Sequence, residues 1–361
     1  MYTRIQIRLV WAVAALAAII AGPAVAADMT PELKSVIEAA KKEGVLTLSY
    51  ANNIMGGADG ARVAAEGIKQ MYGVTLNVTF NPGPSFAPMA TKLYAEMQAK
   101  QNASTDVYNG TAVQVDPYLP RGLWRAVEWT KLLPDRIKPE LAEANGRALR
   151  IVTALPGVLY NKKSAPEFGK IVNMDDLLKP EYKGKLYTTP YLAGFDVLVA
   201  DSVWGYAKTE AFIEKLSKQV GGLAPCAATD RLASGEIPAL APDCAGSEQN
   251  TDRYKAVLAH TIIHDAAMRR YNYLCIPENA AHPNAGILFA LYASTVEGQK
   301  KISLDLYGAD LDVYPETETH SRVVALEKVG VKFLDVTTAW WDAQKNIDAD
   351  LKKLTQKIIQ K

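Results

Sequence analysis

The side chains in this sequence that could do chemistry are amides, hydroxyls and phenols placed just after hydrophobic, strand-like runs. Asn52 and Asn53 follow VLTLSY (45–50), where two amides offer donors and acceptors to a bound molecule or simply shape a turn. Asn109-Gly110-Thr111 follows the run that begins at Asp106. Its glycine lets a backbone approach closely, and an ordinary turn is the competing reading. Tyr191, Gly194 and Asp196 lie in YLAGFD after Pro190, at the expected start of a helix, where free N–H groups suit an anion. Asp196 can face an ammonium group there, or be a first-turn acid favoured by the helix dipole. Tyr271 and Tyr273 stand two apart on an extended segment and share a face, which either lines a cleft or packs under a crossing chain.

Covalent catalysis finds no footing among these residues. Ser234 in LASGE lacks the first glycine of GxSxG and follows a helical stretch instead of a strand. His260 and His264 have the spacing of one helical face, but the glutamate of a zinc-hydrolase helix is missing, so they read as a structural pair. The sequence has no Walker loop and no GxGxxG, and its basic residues scatter along helix faces. No metal site, cofactor or catalytic residue is expected. The remaining chemistry is recognition.

The elements that must position these side chains alternate between strand and helix. Thr30-Pro31-Glu32 opens an amphipathic helix that runs to Lys42 and stops at Gly44. Strands follow at 45–50, 74–80 and 106–109, with helices at 59–72 and 86–101 between them, which is the doubly wound α/β pattern. The alternation resumes with strands at 158–160, 185–188, 237–241 and 273–276. Helical stretches fall at 175–178, 195–206, 209–219, 284–292 and 296–306, and a charged amphipathic helix at 343–359 ends the chain. Two α/β lobes without a low-complexity linker imply lobes joined by strands, with the site in the cleft between them.

Composition limits the function further. Over 361 residues, 40 Lys and Arg balance 39 Asp and Glu, which gives no general attraction to nucleic acid. Residues 1–27 have the form of a cleaved signal peptide: Arg4 and Arg8, an apolar run from Leu9 to Ala21 too short to span a bilayer, then Ala24-Val25-Ala26. An exported, monomeric, periplasmic protein is expected. In an oxidising compartment the three cysteines resolve into a pair and a single. Cys226 and Cys244 flank a helix and a strand whose reversal brings them together, whereas Cys275 lies in an apolar strand as a buried thiol. A Cys226–Cys244 bond is worth about 3 kcal/mol on the chain-entropy model.

Four segments, in order, carry a resemblance: GVLYNKKSAPE (157–167), MDDLLKPEYKGKLYTTPY (174–191), LASGEIPAL (232–240) and YLCIPENAAHPNAGILFALYASTVEGQKKI (273–302). Together they resemble the extracellular solute-binding proteins of ABC importers, in the branch that includes ferric-ion, thiamine and polyamine binders. The resemblance implies a two-lobe type 2 periplasmic-binding fold, a clamshell hinged on crossover strands. It implies an N-lobe over 28–153 with 274–335 returning to it, and a C-lobe over 154–273 carrying the terminal helix, 336–361. It also implies a small-molecule solute captured by lobe closure and delivered to a membrane permease. Relatives often carry Ser, Thr and Gly at positions matching 191–195, and here Tyr191 and Asp196 depart from that. The ferric branch supplies adjacent tyrosines, but no Tyr-Tyr pair occurs here; Tyr271 with Tyr273, and Tyr187 with Tyr191, are the nearest substitutes. A small polar organic solute is therefore expected, with a carboxylate or phosphonate near Gly194 if it is anionic. Ferric ion is the alternative, and an exported two-lobe hydrolase or lyase the more distant one.

Overall fold

The computed structural model describes residues 29–51, 54–245, 250–344 and 347–359. The expected signal peptide and the pair Asn52-Asn53 lie outside the described residues.

Local signals set the first elements. Thr30 accepts a hydrogen bond from the Leu33 N–H and Pro31 occupies the first turn of the helix Pro31–Glu43, whose buried face is Leu33, Ile37 and Ala40. Gly44 closes it at φ +65°, a left-handed conformation that favours glycine. Strand Val45–Leu48 then pairs in parallel with Asn77–Phe80 and bridges in parallel to Val107, next to strand Tyr108–Thr111. The long strand Met268–Cys275 runs antiparallel to both Tyr108–Thr111 and Ala148–Ala154. Across the first lobe the order is thus 77–80, 45–48, 107–111, 268–275, 148–154.

The second lobe repeats that order with different residues: 222–223, 186–188, 239–240, 157–161, 258–262. The pairings Leu186–Thr188 with Gly222–Leu223 and with Ala239–Leu240 are parallel, and the next two are antiparallel. Among the described residues, two short strand-to-strand crossings, Ala154 to Gly157 and Ile262 to Met268, join the lobes. The return to the first lobe thus begins at Met268, earlier than the expected residue 274, because the whole strand pairs within the first sheet. An apolar cluster at the crossings, formed by Leu155, Ile262, Ala267, Val323 and Val331, seats the helix Glu318–Lys328 against both. The terminal helix Ile347–Ile359 packs on Tyr206–Gln219 of the second lobe, where Lys357 pairs with Glu210.

Two expectations are corrected. Residues 195–206 form no helix. Hydrogen bonds Phe195 N–H to Leu192, Leu198 N–H to Phe195 and Ala200 N–H to Val197 make successive turns, and the helix begins at Tyr206. Leu192 and Gly194 take left-handed φ values of +58° and +79°, and Phe195, Val197, Leu198 and Val199 are all buried, so this run is enclosed on every side and has no helical stripe. The stretch 296–306 is helical as expected, running through Val296–Gly298, a π-helical Gln299–Leu304 and Asp305–Tyr307. His260 lies on strand Leu258–Ile262 and His264 in a separate short turn, so they share no helical face.

Candidate ligand cleft

In an open α/β sheet, ligands gather beyond the carboxyl ends of the parallel strands. In the first lobe those ends lead to Tyr50-Ala51 and to the short helix Ala112–Val115. In the second they lead to Thr189–Tyr191, Ala224–Cys226 and Ala241–Cys244. Where the crossings meet the helix Glu318–Lys328 lies a small hollow, open to solvent, lined by Thr153, Leu155, Ala245, Asn250, Glu318, Thr319 and Arg322 among others. Asn250 Nδ2 donates across it to the Gly308 carbonyl at 2.7 Å.

The first-lobe candidates face inward. Asn109 is buried, accepts from Asn272 Nδ2 at 3.3 Å and points its own Nδ2 at Met55 Sδ, 3.5 Å away. Asn272 also reaches the Tyr307 hydroxyl at 3.4 Å. Thr111 caps the helix Ala112–Val115 and donates to Gln114 Oε1 at 2.8 Å. Tyr50 Oη and Thr188 Oγ1, both at the ends of parallel strands, are buried without a hydrogen-bond partner among the described residues.

In the second lobe, Tyr191 is 48% exposed while its hydroxyl accepts from the Cys226 N–H at 2.8 Å. Cys226 and Cys244 are disulfide-bonded with Cα atoms 5.9 Å apart, and Cys244 Sγ lies 3.9 Å from the phenol oxygen; Cys275 is a buried thiol. Gly194 offers no helix N-terminus to an anion. The Ala193 N–H is taken by Thr189 Oγ1 at 2.9 Å, and the Phe195 and Asp196 N–H groups by the Leu192 carbonyl. A Cβ at Gly194 would stand 2.7 Å from Pro242 Cβ, so close approach of the 242 loop demands glycine there. Asp196 takes neither expected role: it is buried in a two-pronged ion pair with Arg270 at 2.7 and 2.6 Å.

Tyr271 and Tyr273 lie on the strand Met268–Cys275, and both are buried. The Tyr271 hydroxyl donates to Asp335 at 2.8 Å beneath the Arg150 guanidinium, 3.8 Å from the ring centre. The Tyr273 hydroxyl donates to Glu143 at 3.0 Å. Burial first, and then the neighbouring carboxylates, push both phenols well above their ordinary pKa. Among the described residues no group of three or more His, Cys, Asp or Glu is arranged to hold a metal.

Sequence reading missed the buried charges. His260 Nε2 faces Asp243 at 3.1 Å, and its Nδ1 meets the Arg322 guanidinium. These partners assign the proton to Nε2. Burial holds His260 below its usual range and also lowers Arg322, which Asp243 partly restores. For the Asp196–Arg270 pair, the available signal was Arg269-Arg270 near the head of a buried strand.

No family model matches the chain, and no curated protein matches it. Solved structures do. AfuA, a periplasmic binding protein from Actinobacillus pleuropneumoniae solved with fructose-6-phosphate, is 17% identical with a TM-score of 0.66, over 87% of this chain and 98% of that one. Ferric ion-binding protein A of Pasteurella haemolytica is 16% identical, with a TM-score of 0.59 and the same coverages. The spermidine/putrescine substrate-binding protein PotD of Streptococcus pneumoniae is 13% identical, with a TM-score of 0.58, over 86% of this chain and 99% of that one. At such identities the likeness speaks to architecture: the chain has the two-lobe fold of the periplasmic binding proteins.

Proposed function

We propose that this protein is the periplasmic substrate-binding component of an ABC importer, a binder and not an enzyme, which closes its lobes on a small polar organic solute and passes it to a membrane permease. The observation that carries this reading is the hollow where the crossings meet the helix Glu318–Lys328. Thr153 ends the first-lobe strand Ala148–Ala154, Leu155 lies on the first crossing, Ala245 and Asn250 come from the second lobe, and Glu318, Thr319 and Arg322 from the helix seated on the crossings. A solute that touches all these parts binds the closed form best and shifts the population toward it. Hydroxyls, an amide, a guanidinium and the Glu318 carboxylate line it, a mixed set that suits hydrogen bonding to a polar organic molecule. The fold of the polyamine, sugar-phosphate and ferric-ion binders supports the reading without choosing among their ligands.

Native mass spectrometry of protein purified from an exporting cell tests it. The expected result is a bound organic mass that is released on unfolding, together with a smaller radius of gyration for the loaded form. A red-orange protein whose bound mass is iron, or a solute chemically altered by the protein, overturns the proposal.

A further inference from the structure

The helix Glu318–Lys328 is bolted to the first lobe. Asp310 accepts from its Glu318 and Thr319 N–H groups at 3.1 and 2.9 Å, and the Thr153 N–H bonds to the Asp310 carbonyl at 3.0 Å. Asp312 accepts from the Thr153 hydroxyl at 2.7 Å and from Arg269 at 3.2 Å, and both partners stand on first-lobe strands. From this anchored helix Arg322 reaches the other way. Its guanidinium meets Nδ1 and the carbonyl of His260, on the second-lobe strand Leu258–Ile262. His260 Nε2 in turn donates to Asp243 at 3.1 Å, and Asp243 accepts from the Gly157 N–H at 2.7 Å and the Ala245 N–H at 3.3 Å. One chain of hydrogen bonds runs from the first lobe into the second beside the crossings.

The His260 side chain is wholly enclosed. Among the described residues, the charged groups acting on it are Asp243, on the loop after Ala239–Leu240, and Arg322, on the helix. The paired strand Gly157–Asn161 presents Gly157 to the ring. A neutral imidazole satisfies both neighbours, with Nε2–H for the carboxylate and the Nδ1 lone pair for the guanidinium. A second proton has to sit on Nδ1, where Arg322 then loses its acceptor and faces a cation. Glu318, one turn earlier on the helix, lines the solvent-open hollow with Arg322, so a displaced guanidinium has water and a carboxylate to turn to.

We propose that Asp243, His260 and Arg322 form a latch between the lobes, which a neutral His260 keeps shut and a second proton on His260 releases. Burial holds His260 below its ordinary range, which favours the neutral form in the latched arrangement. Release returns the ring to water, where it takes up the proton more readily. The latch is therefore complete above the ordinary histidine value and fails as pH falls below it. It needs no solute, so its test stands apart from the transport reading.

Spin labels at Lys69→Cys and Lys215→Cys, exposed positions on the helices Gly57–Tyr72 and Tyr206–Gln219, report lobe spacing in the solute-free protein by pulsed dipolar spectroscopy. The otherwise wild-type protein is expected to show a short distance near pH 7.5 and a longer, broader one near pH 5, reversibly. His260→Gln, whose amide can accept from Arg322 and donate to Asp243 without titrating, is expected to keep the short distance at both. Arg322→Met is expected to show the longer one at both. A wild-type distance indifferent to pH, a His260→Gln protein that shifts as the wild type does, or an Arg322→Met protein that stays short overturns the latch. If a variant fails to fold, hydrogen exchange at histidine C2 in the wild type, mapped by peptide mass, decides. The His260 midpoint is expected to coincide with that of the distance change, and a gap of about one pH unit or more overturns the proposal.

Discussion

Asp196 and Asp116 show how placement decides what a carboxylate contributes. Asp196 is locked to Arg270, and both are buried, so removing one partner strands the other charge. Asp196→Asn is expected to cost about 3–5 kcal/mol in urea unfolding, whereas replacing both residues with well-packed apolar ones lies near neutral. Asp116 has no such counterion. Partial burial, and then the charges of Asp342 and Asp348, raise it to about 6. Its folded pKa exceeds its unfolded one, so the folded state holds the proton more tightly. That contribution is complete below the ordinary aspartate value and is lost as pH rises through about 6. Asp116→Asn should therefore raise Tm at pH 8 and bring little gain at pH 4, which thermal scans at the two pH values will show.

Helix Gly57–Tyr72 owes its seat on helix Pro283–Ala293 to a missing methyl group. A Cβ at Gly67 would lie 2.0 Å from the Tyr292 ring. Gly67→Ala should destabilise by about 1–3 kcal/mol, despite alanine's better helix propensity, as unfolding midpoints would report. Such contacts mark the limit of what sequence reveals. Elements such as Pro31–Glu43, Gly57–Tyr72 and Phe86–Gln98 were legible because each carries its own apolar stripe, two of them ending at a glycine in the left-handed conformation. The disulfide was legible because three cysteines leave few choices. The turns at 193–204 were not, since an unbroken apolar run looks the same whether it is a buried helix or a buried loop. The roles of Tyr271, Tyr273 and Asp196 were hidden for another reason. Their partners Asp335, Glu143 and Arg270 lie 64, 130 and 74 positions away, and a register shift between Asn272 and Tyr273 disturbs the alternation that would have told the faces apart.

Across the whole molecule, one apolar cluster continues from Met89, Leu93 and Trp124 through Tyr271 and Tyr273 to Phe195, Phe212 and Leu216, so the lobes share packing as well as strands. The strand Met268–Cys275 lies at the centre of this arrangement and has partners on both sides made more than a hundred residues earlier. A fragment ending at residue 155 would leave Tyr108–Thr111 and Ala148–Ala154 without the strand that joins them. It is expected to lack a cooperative thermal transition by circular dichroism, and to regain one only when 268–344 is supplied in trans. Synthesis proceeds from the amino end, so the keystone of the first lobe leaves the ribosome after every strand of the second. Until then the first half of the nascent chain is an unfinished arch that can still be threaded through a pore.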